Sequence, residues 1–133
     1  MKKENKKYVD DFLSHSDEIG DDILEDFEAL LGKKPFIFEI LKERPESFVA
    51  GAIADYLTLR PASLDDKTAE LVTIAASASA NANKCLNLHI IAAEKAGATK
   101  EEILDSILIA CMVGRTKLLA SSLRAYKNHF PDD

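Results

Sequence analysis

The stretch Asn83-Lys84-Cys85-Leu86-Asn87-Leu88-His89-Ile90-Ile91-Ala92-Ala93-Glu94-Lys95-Ala96-Gly97-Ala98-Thr99-Lys100-Glu101-Glu102-Ile103 decides the fold. From Asn83 to Ala96 it holds helix-forming residues and no Gly or Pro. Gly97 then supplies a C-terminal stop, because glycine adopts the left-handed conformation that closes many helices. Thr99-Lys100-Glu101-Glu102 has the form Thr-x-x-Glu of a capping box, in which hydroxyl and carboxylate each bind a backbone N–H at the start of the next helix. The motif therefore reads helix, stop, capped helix.

Working outward gives more helices. Downstream, Ile103, Leu104, Ile107, Leu108 and Cys111 carry a helix that Gly114 is expected to end, and Arg115 to Phe130 reads as a final amphipathic helix. Upstream, Ser63-Leu64-Asp65-Asp66 resembles an N-cap with acids in the first turn, where the helix dipole favours them. The helix it starts carries Glu70, Leu71, Val72 and Ile74. It ends in the small-residue run Ala75-Ala76-Ser77-Ala78-Ser79-Ala80, a surface another helix can approach closely, and Asn81 and Asn83 mark a junction near Ala82. Lys7 to Leu31 reads as one helix stopped by Gly32, followed by a short helix after Pro35. Pro45 breaks that helix, and a third stripe from Phe48 to Leu57 ends before Pro61. No period-two alternation is long enough for a strand. The expectation is one all-α domain over residues 1–133, a bundle of about seven helices.

Composition removes whole function classes. A net charge of −6 offers no basic footprint for nucleic acid. The lysines at 2, 3, 6 and 7 read as a solvated terminus, and no apolar segment of signal-peptide type follows them. No run of about 18 apolar residues is present to span a membrane. Two cysteines make no disulfide framework, so a cytoplasmic chain with reduced thiols is expected.

The chemistry concentrates at Cys85 and His89. At i and i+4 they lie on one helix face, and an imidazole there can take the thiol proton or stabilise the thiolate, the nucleophilic form. Taken singly, each has a plainer reading: a free cysteine is commonly an inert core residue, and a histidine on an apolar face is commonly a satisfied core group. Glu70 is the third candidate, because a carboxylate beside an imidazole fixes its tautomer and relays protons. Its plainer reading is an exposed helix glutamate. Cys111 falls on its helix's apolar stripe and reads as core. His15 and His129 have no ligand-like spacing, and Cys85 with His89 would give only two of the three or four ligands zinc needs, so no metal site is expected. Phosphate loops and Ser/His/Asp motifs are absent.

Glu70, Ala82, Cys85, His89, Ala92-Ala93 and the junction Gly97-Ala98-Thr99-Lys100-Glu101-Glu102-Ile103 together resemble the carboxymuconolactone decarboxylase family, which includes the alkylhydroperoxidase D-type proteins. The signature of these proteins is Glu-x11-Cys-x2-Cys-x3-His, and the resemblance is close over about residues 64–114. It implies an alkylhydroperoxidase D-like fold. It also implies Cys85 as nucleophile, His89 as its base and Glu70 as relay carboxylate, with no cofactor. Further implications are a peroxide or disulfide substrate, an external thiol or dithiol reductant, and a homo-oligomer, a trimer or hexamer. The departure is Ala82, which stands where the first cysteine of the pair belongs, so a Cys-x2-Cys disulfide cannot form. Three functions remain open: a single-cysteine peroxidase or disulfide reductase, with Cys111 a conceivable resolving thiol; a lactone decarboxylase, which in this family works without the cysteine pair; and a non-catalytic oligomeric binding module with Cys85 buried as packing.

Overall fold

The computed structural model describes residues 1–131. Among them it contains seven α-helices and no strand: α1 (Lys3–Ser14), α2 (Ser16–Leu31), α3 (Phe36–Leu41), α4 (Pro45–Leu59), α5 (Asp66–Ser79), α6 (Asn83–Lys95) and α7 (Lys100–His129). The fold is all-α, as the helix-stop-helix motif predicts. The chain divides into two compact units, Met1–Thr58 and Leu59 onward.

The first unit is built on Leu24, Phe48 and Val49, with Phe12, Ile19, Ile23, Phe38 and Ile53 packed around them. Phe38 is its aromatic hub, edge-on to Phe27 at 4.6 Å and tilted against Phe48 at 5.6 Å between ring centroids. The expected single helix over Lys7–Leu31 is in fact two. The break is at His15, whose N–H reaches back only to Phe12 O. The Ser14 and Ser16 hydroxyls and the His15 ring all bond carbonyls at Asp11 or Leu13, so polar side chains compete for the helix's own acceptors.

The second unit packs α5 against both α6 and α7. Ile74, Ala93 and Ile103, one from each helix, form its core, with Leu71, Leu86, Ile90, Ala98 and Ile107 beside them. Its start signals are where the sequence puts them. Asp65 caps α5 by accepting from the Thr68 N–H at 2.9 Å. Thr99 caps α7 with both bonds of the capping box in place, Glu102 N–H to the Thr99 hydroxyl at 3.2 Å and Thr99 N–H to the Glu102 carboxylate at 2.8 Å. Gly97 closes the α6 end with φ at +86°. Asn81, at φ +54°, turns the chain from α5 toward α6, a conformation asparagine tolerates better than most residues.

One boundary is corrected. Gly114 does not end a helix, and Arg115 does not begin one: α7 runs unbroken for 30 residues. Gly114 lacks the positive φ that Gly32 and Gly97 adopt. A glycine inside a helix weakens it without breaking it when helix formers flank it and no proline follows. The count of seven thus stands with different membership, one expected helix split and two merged.

Candidate active site

α5 and α6 bring the predicted acid and base together. Glu70 lies on α5, its side chain 2% exposed, and His89 lies on α6, its side chain 11% exposed. Glu70 Oε2 and His89 Nδ1 are 2.7 Å apart. The exposed-glutamate reading of Glu70 is therefore wrong: its burial is among the deepest in the chain.

A buried carboxylate needs compensation, because removing a charge from water is costly unless it is paired. Arg60 provides it. Its Nη2 donates to Glu70 Oε1, the oxygen that His89 leaves free. The same guanidinium bonds Leu59 O through Nη1 at 3.0 Å and lies 3.5 Å from Asp66 through Nε. Sequence reading missed Arg60. The one available signal was Arg60-Pro61 just before the α5 cap, since a residue preceding proline is held extended and its side chain thereby aimed.

The hydrogen-bond pattern sets the imidazole's roles. A carboxylate that already takes the guanidinium can only accept from the ring, so Nδ1 carries the proton and donates. Nε2 then has its lone pair free. It has no hydrogen bond among the described residues, where no fully buried side-chain nitrogen or oxygen lacks a partner, so Nε2 is not fully buried.

Cys85 is exposed on α6, one turn before His89. His89 follows Cys85 by one turn on the same helix, and among the described residues no hydrogen bond joins their side chains. Cys85 is the third residue of α6, where backbone N–H groups have no partner inside the helix. The N-cap is Ala82, which supplies no side-chain cap, and the first turn holds no acid. Exposure removes the reading of Cys85 as buried packing. It likewise corrects Cys111, which is exposed on α7 rather than in the core. Both thiols are free. Among the described residues no three His, Cys, Asp or Glu side chains cluster to hold a metal, and no helix is long and apolar enough to cross a membrane.

The exposed Cys85 thiol thus stands one helical turn from a buried, charge-compensated imidazole. The Carboxymuconolactone decarboxylase family model matches residues 46–128, which include Arg60, Glu70, Cys85 and His89. The chain belongs to that family, which includes enzymes. Neither curated proteins nor solved structures give a significant match.

Proposed function

We propose that the protein is a thiol-dependent peroxidase of the alkylhydroperoxidase D type, working with one cysteine. The observation that carries this reading is the buried Glu70–His89 pair one helical turn from the exposed Cys85 thiol. His89 Nε2 takes the Cys85 proton. The thiolate attacks the terminal oxygen of a hydroperoxide and the O–O bond breaks. The alkoxide leaves with a proton as the alcohol, and Cys85 becomes a sulfenic acid. One external thiol condenses with it, releasing water and forming a mixed disulfide. A second thiol releases Cys85 and departs as the oxidised reductant. Ala82 cannot resolve the intermediate, so the reductant must come from outside. Assembly of several copies, as the family resemblance implies, belongs to the same proposal.

The reduced protein, treated with an organic hydroperoxide and a sulfenic-acid trap, should gain the trap's mass at Cys85 and not at Cys111. An unmodified Cys85 under conditions that oxidise ordinary exposed thiols would remove the peroxidase reading. Lactone decarboxylation is then the second reading, favoured by one observation: the Glu70–His89 acid–base pair is complete without the thiol. In that case Cys85→Ala keeps activity on a lactone and His89→Ala loses it.

A further inference from the structure

We infer that Arg60 is a positioning residue of this site, setting the protonation state of His89 through Glu70. The inference rests on the reading of His89 as the proton carrier and names the group that makes it one.

The argument begins with the carboxylate. Each Glu70 oxygen has one partner in the chain, Arg60 on Oε1 and His89 on Oε2. With both present, guanidinium cancels carboxylate, and the imidazole can rest neutral with its proton on Nδ1 and a free lone pair on Nε2. Remove the guanidinium and the balance reverses. Glu70 stays buried with a charge that nothing but His89 can answer, and the cheapest answer is a second proton on the ring. A doubly protonated imidazole has no lone pair and cannot accept from a thiol. Arg60 touches neither Cys85 nor Nε2 of His89, so its effect must pass through Glu70.

Arg60 is suited to hold rather than to react. Its guanidinium has three anchors: Leu59 O at 3.0 Å, Asp66 at 3.5 Å, and Glu70. Its side chain is 29% exposed, against 2% for Glu70. The fork is fixed by its own neighbours on one side and fixes the carboxylate on the other. A lysine places one point charge where arginine places a planar fork, so it can answer the charge without keeping all three anchors.

The test reads His89 directly. Nitrogen-15 NMR of the full chain at mildly alkaline pH distinguishes the Nδ1–H form, the Nε2–H form and the imidazolium. The wild type should show the Nδ1–H form. Arg60→Met should shift the ring toward imidazolium, read as loss of the Nδ1–H signature at that pH. Arg60→Lys, which keeps the positive charge, should keep the ring neutral with its proton on Nδ1. If Arg60→Met does not fold, Arg60→Lys carries the readout, and the double variant Arg60→Met with Glu70→Gln, which removes both charges, should fold and leave His89 neutral. A folded Arg60→Met with an unchanged Nδ1–H ring overturns the inference, as does an imidazolium in Arg60→Lys or in the double variant. The readout is independent of peroxide chemistry. A Cys85 inert to hydroperoxide beside an altered ring would sink the proposed function and leave Arg60 its role; a reactive Cys85 beside an unaltered ring would do the reverse.

Discussion

At the scale of single residues, Glu70 has the largest leverage. It joins a guanidinium to an imidazole inside the second unit, and a change there disturbs both partners. Glu70→Gln keeps the shape and removes the charge. The expected cost is about 2 kcal/mol, the size of a lost hydrogen bond to a charged group, checked by chemical denaturation. Hydroperoxide turnover should fall further than stability does, roughly a hundredfold. A variant as active as the wild type would separate Glu70 from the chemistry. Glu70, Cys85 and His89 were legible because their types and spacing form a pattern. Arg60 was not, because its reach depends on a connecting segment whose path no periodicity encodes. The burial of Glu70 was illegible for a related reason: a glutamate in a charged helix looks solvated until the facing helices are in place.

At the scale of elements, α7 is held at its start by two devices. Its capping box satisfies backbone donors, and Lys67 of α5 bonds Glu102 at 2.8 Å, tying the two helices together. Thr99→Ala should cost about 1 kcal/mol, read as a lower denaturation midpoint. The Lys67 ammonium, aided by the Thr99 N–H, holds the Glu102 carboxyl below the usual carboxylate range, and Glu102 in turn raises Lys67. The signs follow. A carboxyl lowered on folding stabilises above its unfolded value and loses that effect as pH falls through the folded one; an ammonium raised on folding stabilises below its unfolded value and loses the effect as pH rises through the folded one. The stability difference between wild type and Glu102→Gln should therefore be flat between about pH 5 and pH 10 and shrink on both sides. A difference that grows at either extreme contradicts the bridge. The starts of α5 and α7 were legible because their caps are chemical signatures. The break at His15 and the continuity through Gly114 were not. Both depend on whether local competition for backbone groups wins, and residue identity alone leaves that balance undecided.

At the scale of the molecule, the apolar surface is more than one chain buries. Ile103 to Val113 is apolar but for Asp105 and Ser106, yet only Ile103 and Ala110 are buried. Along the same helix Ile109, Met112, Leu119, Leu123, Tyr126 and Phe130 are exposed, and with Thr116 they follow the alternating three–four spacing of a helix-packing seam. Contiguous exposed apolar patches of this kind mark interaction surfaces. The expected occupant is a second copy, which supports the proposed assembly. Leu119→Asp combined with Tyr126→Asp should reduce the sedimenting species to the 14.6 kDa single chain. A wild type that already sediments at that mass at micromolar concentration would dispose of the assembly. Composition showed that apolar residues were plentiful. It did not say which would be left outside, because that is decided by how far α7 extends.

The unbroken α7 also has a mechanical side. Thirty helical residues form a rod about 45 Å long. Its buried residues, Ile103 and Ala110, and its Lys67–Glu102 tie to α5 all lie within residues 100–110. A rod gripped at one end is a lever: a tilt of about ten degrees at the grip carries the far tip through roughly 8 Å for a helix of this rise per residue. The Lys67–Glu102 strap and the Thr99 cap are in this sense the pivot, and small adjustments there are magnified at Tyr126 and Phe130.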